Sequence, residues 1–331
     1  MGLQSIFKIK KFDILLALTV LAVAAILPTI LTSRYAINLL IQIIIFALFA
    51  MSLDLLVGYL GHISFGHAAF YGMASFTFAI LTVRYQWNWL PASAVAILAA
   101  VLLAALFGLV LSHLTGIQYG MVTFALGMVV WGLAMRWNSM TGGVNGISGA
   151  PRPVIWGLKF SGVSEYYYFV FGVFVVCTFA LYMLVRSPFG LAMRGIKQTQ
   201  SRMRVLGFNV WFHKYITYIV AGFFAGIAGV LMSSFNSFVS AEDTWLLVSA
   251  KGLLIVLAGG PGTLWGSLLG AGALVLLEDI ISSYFERWNI VMGFLYIAVV
   301  VFLPGGLMQL LRSAYERILR LASVQPSPVV E

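Results

Sequence analysis

The chain has 331 residues, of which 62% are hydrophobic and only 9% charged, and its 19 Lys and Arg outnumber 10 Asp and Glu for a net charge of +9. A water-soluble domain averages about 25% charged residues, so that class is excluded, and the mean hydropathy of +1.02 points to the membrane. The apolar residues form near-continuous runs of about 20 rather than alternating ten-residue strands, which predicts an all-α polytopic membrane protein and not a barrel.

The chain begins with a basic segment, Lys8, Lys10 and Lys11, followed by an apolar run over 13–31. That run is longer than the h-region of a signal peptide and further spans follow it, so it reads as an uncleaved first span entering from the cytoplasm. The next spans are predicted at 36–57, 63–83, 90–111, 117–135 and 166–185. Six crossings return the chain to the cytoplasm at Arg186. Four more, at 215–235, 245–258, 264–281 and 290–310, leave Arg312, Arg317 and Arg320 on the same side. About ten spans satisfy all three basic clusters under the positive-inside rule, and eight would keep the parity. The segment 245–258 is short, and the entry at 58–66 is broken by glycine; both read as discontinuous or re-entrant. The expected organisation is a cytoplasmic N-terminus (1–12), a first membrane half (13–185), a cytoplasmic loop (186–214), a second membrane half (215–311) and a cytoplasmic tail (312–331).

The longest external segment, 136–165, carries TGGVNGISGAPRP, whose Gly and Pro make an irregular backbone with N–H groups free to face a partner. Gly142, Gly143, Asn145 and Gly146 are its candidate external-mouth residues. Trp137, Trp156 and Tyr166 to Tyr168 suit membrane-interface positions. The central loop, RSPFGLAMRGIKQTQSRMRVLGFNVWFHK, contains Arg186, Arg194, Lys197, Arg202, Arg204 and Lys214 and no acid. Phe189, Met193 and Ile196 fall at helical spacing, and Gly207 after Leu206 supplies a left-handed cap. Two readings stand for this amphipathic helix: a surface helix on anionic lipid, or a docking helix for a cytoplasmic partner.

Catalytic classes find no footing. The chain has no G-x-x-x-x-G-K-[ST] for nucleotide phosphate, no His/Cys set at zinc spacing, no H-E-x-x-H and no nucleophile elbow, so no catalytic residue and no metal site are assigned. The basic residues sit where topology places them, which argues against nucleic acid as a partner. A lone cysteine, Cys177, permits no intrachain disulfide.

The informative chemistry is small residues inside apolar runs. GYLGHISFGHAAFYGMAS clusters Gly58, Gly61, Gly66, Ala69 and Gly72; AGFFAGIAG sets Gly222 and Gly226, and Ala221, Ala225 and Gly229, four apart; GGPGTLWGSLLGAGA is expected to put Gly262, Gly266 and Gly270 on one helix face. Such spacing lets helices approach closely in lipid. Glycine-broken helices also expose helix ends to substrate near the midplane of transporters. The candidate path residues are Gly61, Ser64, Gly66 and His67 in the first half and Gly259, Gly260 and Gly262 in the second. Asp54, His62 and Lys251 are ionisable groups at membrane depth, open either to a functional role or to being wet or snorkelled.

LDLLVGYLGHISFGHAAFYGMASF, TGGVNGISGAP, the central loop, AGFFAGIAGVL, and LAGGPGTLWGSLLGA through LPGGL occur in this order from about Leu39 to Leu311. Together they resemble the permease subunits of branched-chain amino acid ABC importers, in particular the longer of the two permease types. The resemblance implies a second homologous permease, two cytoplasmic ATPase subunits, a periplasmic solute-binding protein and contact with membrane lipid. It implies no cofactor in this chain, ATP and Mg residing on the partner, and a location in the bacterial inner membrane. It implies that the central loop is a coupling helix, with Arg194, Lys197, Arg202, Leu206 and Gly207 at matching positions, and Arg204 is assigned to the same ATPase-coupling surface. Gln200 departs from the acidic residue common there, and Asn145 from an Asp. Urea and short-amide importers are close relatives in this superfamily. The rival from another class is an ion-coupled secondary transporter acting alone.

Overall fold

A computed structural model describes residues 33–155, 158–160, 162–285, 287–302, 305–311 and 313–314, together with 24, 27 and 28. The basic N-terminal segment, most of the expected first span and the C-terminal Arg312, Arg317 and Arg320 lie outside the described residues.

The described chain is helical, with four two-residue strands. Helix α1 covers Arg34–Asp54 and loosens into a π turn at Leu55–Leu60. The next, α2 (Ala68–Ala79), continues as a π turn to Arg84. α3 is Trp89–Leu111, α4 Gly116–Arg136 and α5 Val163–Arg186. Two short helices follow, α6 (Pro188–Gln198) and α7 (Gln200–Val205). The second half comprises α8 (Val210–Asn236), α9 (Leu246–Gly259), α10 (Leu264–Tyr284) and α11 (Trp288–Phe302). Among the described residues six helices are long and apolar enough to cross a membrane, and Ala68–Arg84, Leu246–Gly259 and Ile290–Val299 are shorter apolar helices. These lie on the expected spans. The last of them covers Trp288–Phe302, and a turn at Gly305 opens the described stretch 305–311.

Small residues decide the core. On α3, Ala92, Ala96, Ala100, Ala104 and Gly108 recur every fourth position and are all buried. They face α8, where a Cβ on Gly222 would overlap Ala104 and one on Gly226 would press on Ala100. Lipid is as apolar as leucine, so helices associate through such close approach and through bonds between them. Ser75 Oγ donates to the Gly229 carbonyl at 2.9 Å, Trp89 Nε1 to Ser234 Oγ at 2.9 Å, and Tyr166 Oη to the Leu231 carbonyl at 2.6 Å. Tyr166 and Tyr167 are buried within the protein, whereas Trp137 and Tyr168 are exposed. α1 and α8 form the middle of the bundle; much of α3, α4 and α5 faces outward.

At one end of the bundle, β1 (Ile147–Ser148) pairs antiparallel with β4 (Phe238–Val239), and β2 (Val154–Ile155) with β3 (Leu158–Lys159). At the other end sit α6 and α7 with their basic residues, referred to below as the basic face.

Candidate functional site

The span after α1 is discontinuous. Gly61 takes a left-handed conformation (φ +80°), and the His62 amide donates to the Leu56 carbonyl at 2.8 Å, closing the π turn. Residues 61–67 then run without helix before α2 begins at Ala68. Their exposure alternates: Gly61 and Ile63 face outward and Phe65 is half-buried, while His62, Ser64 and Gly66 are buried. A period of two is that of an extended chain. His67 Nε2 lies 2.9 Å from Ser52 Oγ, two turns back inside the bundle from Leu60, so the segment climbs back into the protein before it becomes helical.

The outward residues line a groove of about 530 Å³ formed by Gly61, Ile63, Phe65, Met121, Phe124 and Leu246, among others. The N-terminal turn of α9 reaches the same place. Leu246 lines the groove, and Ser249 Oγ accepts from the first amide of α2, Ala68, at 2.8 Å. Two short helices thus bring their N-terminal ends together beside an apolar groove. Of the four first-half path candidates, only Gly61 lines it. Ser64, Gly66 and His67 face the interior, where Gly66 packs against Thr123 and Gly127. The groove residues Ile63, Phe65, Met121, Phe124 and Leu246 escape sequence reasoning, because apolar side chains carry no special signal in an apolar chain.

Beneath the groove is a layer of buried rings. His62 stacks on Tyr119 (4.8 Å), Tyr119 meets Tyr218 edge-on (6.2 Å), and Tyr218 meets Phe70 (5.3 Å). The Ser64 and Tyr218 hydroxyls adjoin one another, and among the described residues Tyr119 Oη has no hydrogen-bond partner within the chain. His62 and His67 stay functional candidates by burial rather than by exposure.

The second-half candidates Gly259, Gly260 and Gly262 lie against the first-half break. Gly262 is not on the face of α10 with Gly266 and Gly270; it is left-handed (φ +83°) and precedes that helix. Its amide donates to Asp54 Oδ1 at 2.8 Å, and its backbone comes so close to Gly58 that a Cβ there would overlap both Asp54 Oδ1 and the Gly262 nitrogen. Asp54 is fully buried and not wet. Lys251 does not snorkel either: it is ion-paired with Glu278, and its ammonium lies 4.1 Å from the Phe46 ring centre.

The basic segment is two helices. Ser187 caps α6 by accepting from the Gly190 amide, with Pro188 at the first helical position, a sequence built to start a helix. Met193 and Ile196 turn inward as the spacing predicts. The helix breaks at Thr199 rather than running through. α7 then ends in a Schellman turn: Gly207 (φ +86°) donates to the Arg204 carbonyl and Phe208 to Met203. Arg202, Arg204, Leu191, Val205 and Leu206 are exposed, Val205 by 87%. Arg194 lies over the Tyr59 ring (5.2 Å), Lys197 Nζ donates to the Gly58 carbonyl at 2.7 Å, and Gln200 Nε2 is 3.3 Å from His62 Nε2. Lys214 is buried and donates to the Leu114 carbonyl at 2.7 Å.

At the opposite end, Gly142, Gly143 and Gly146 all have positive φ, and the Asn145 amide donates to the Gly142 carbonyl. This loop is held to the second half by the β1–β4 pairing. Next to it Ser240–Asp243 forms a capping turn, in which burial pushes the Asp243 carboxyl up to about 6.

Residues 35–301 match the model of the family described as branched-chain amino acid transport system, permease component. The chain belongs to this permease family. The permease is 28% identical over 330 residues to the high-affinity branched-chain amino acid transport system permease protein LivM of Salmonella typhimurium strain LT2, covering 92% of this chain and 76% of that one. It is 29% identical to LivM of Escherichia coli K12 over the same shares. A shorter match, 27% over 113 residues, covers 34% of the permease and 35% of the probable branched-chain amino acid transport permease protein LivH of Methanocaldococcus jannaschii. No solved structure matches the chain. Among the described residues no group of His, Cys, Asp and Glu is arranged to hold a metal ion.

Proposed function

We propose that this permease is the membrane-spanning subunit of an ABC importer in the bacterial inner membrane, passing branched-chain, hydrophobic amino acids delivered by a periplasmic binding protein. It works beside a second homologous permease and two ATPase subunits, which hold the ATP and Mg. The basic face and both termini lie in the cytoplasm, as the positive-inside rule requires of Arg186 to Lys214. What supports the reading most is the α6–α7 pair. It sets exposed Leu191, Val205 and Leu206 beside Arg202 and Arg204, a surface of the kind that docks a protein, while its inner side bonds directly to the broken end of α1. A lipid-surface helix needs no such bond.

The groove suits a branched aliphatic side chain, since Ile63, Phe65, Met121 and Phe124 offer contact without polar demands. The N-terminal ends of α2 and α9 beside it favour a carboxylate in passing. The Gly262 amide takes no part in that, because Asp54 already occupies it. The mouth loop with Gly142, Gly143, Asn145 and Gly146 receives the binding protein; Asn145 adds no negative charge there.

Reconstitution decides the matter. Proteoliposomes carrying the permease with its second permease and ATPase subunits, supplied with binding protein, should take up leucine, isoleucine or valine only with ATP on the ATPase side. Uptake by the permease alone under a proton or sodium gradient would establish the secondary transporter instead. Preference for urea or short amides would move the substrate class while keeping the machine.

A further inference from the structure

Lys197 was expected to meet the ATPase from its place on the basic face, but its ammonium points inward. It donates to the carbonyl of Gly58 at 2.7 Å, in the π turn that ends α1. Its methylenes lie against Gly61, so closely that a Cβ there would press on Lys197 Cγ at 2.8 Å. Gly58 in turn touches Gly262, and one turn back on α1 Asp54 Oδ1 accepts the Gly262 amide. Five residues therefore join three parts of the chain at one point: the α6 helix, the broken end of α1, and the glycine turn between α9 and α10. A π turn leaves backbone carbonyls in poorer registry than an α-helix, and functional hinges often carry one. A lysine ammonium on such a carbonyl is a charge-assisted bond, stronger than a neutral one and broken by a small displacement.

We propose that Lys197 is a positioning residue for transport. It is the latch through which movement of α6 reaches the junction of the two broken spans, and Asp54 carries that movement across to Gly262. With the bond made, Gly61 and the groove residues after it are held; when α6 shifts, the carbonyl is released and the segment 61–67 is free to move. The inference rests on the proposed importer function, but its geometry does not.

The test compares Lys197→Met and Lys197→Arg in the assembled importer in proteoliposomes. Leucine uptake and binding-protein-stimulated ATP hydrolysis are measured together. Removing the latch should raise the ATP hydrolysed per leucine about tenfold, the scale of one charge-assisted hydrogen bond, while the stimulated ATPase rate is retained. Lys197→Arg, which keeps a cationic donor, should restore the ratio to within about twofold. A Lys197→Met importer with the wild-type ratio overturns the proposal. A second readout needs no ATPase: spin labels at Gln198→Cys and Pro261→Cys, in a Cys177→Ala background, report the distance from α6 to the second-half turn. The distribution should be narrow in the otherwise native chain and clearly broader with Lys197→Met. An unchanged distribution also overturns the latch. Uptake by the unaltered importer that ignores ATP would instead sink the importer reading, leaving the distance measurement to judge the latch.

Discussion

The two broken segments of this permease are built on different plans. The first, from Leu55 to His67, has a π turn, a long extended stretch and buried polar side chains: His62, Ser64 and His67. It touches the basic helices through Lys197, Arg194 and Gln200. The second, from Gly259 to Thr263, is a tight turn of glycine and Pro261 that presents backbone to its neighbours. Its amide at Gly262 is held by Asp54, the last residue of α1 before the first segment. One segment carries the chemistry and the connections; the other is a backbone bearing surface against which it rests. Two glycine-broken segments in one permease need not share work, and glycine content alone does not say which of them is acted upon.

Steric contact at the junction gives the largest expected effect. Gly58→Ala drives a Cβ into Asp54 and Gly262 and should cost roughly 3 kcal/mol, the upper end for an overpacked site, whereas Gly272→Ala, with open space around it, should change stability by less than about 0.5 kcal/mol. Melting in detergent, followed by reaction of the buried Cys177 thiol with a fluorogenic maleimide, reads both. Equal melting points for the two variants would mean the segments do not bear on each other. Next comes the polar link. Asp54→Ala strands the Gly262 amide and should cost about 1–3 kcal/mol, and Asp54→Asn, which keeps an acceptor oxygen, should cost less than half as much. Identical losses for the two would show that Asp54 acts by its charge rather than by accepting that bond.

Much of this was legible in the residues. Composition and run length yield the helical membrane fold, and the small-residue spacing of Gly222 and Gly226 marks a face that does pack closely, against Ala100 and Ala104. The capping chemistry of Leu206-Gly207 locates the end of the basic segment, while the Ser187-Pro188 start shows itself only in the structure. The break at Thr199 was not legible, since Thr is tolerated in helices and no Gly or Pro marks it. Nor was the direction of Lys197, because a lysine on an amphipathic helix reads as solvated unless the far partner is known. Asp54 and Gly262 are 208 positions apart, and only the folded chain shows that an acid near the end of one span answers an amide freed by a turn in another. The alternation through 61–67 was available as Gly-His-Ile-Ser-Phe-Gly-His, but the apolar runs on either side mask so short a period.

Sidedness of the α6–α7 pair carries the whole account, and impermeant-thiol labelling measures it directly. Val205 is the most exposed large hydrophobic residue of that pair, and the native Cys177 is buried, so a single Val205→Cys substitution supplies the only ready target among the described residues. The account predicts that a membrane-impermeant maleimide labels this site in inside-out vesicles and not in intact cells, and that bound ATPase subunits shield it. Labelling from the outside of intact cells would contradict it.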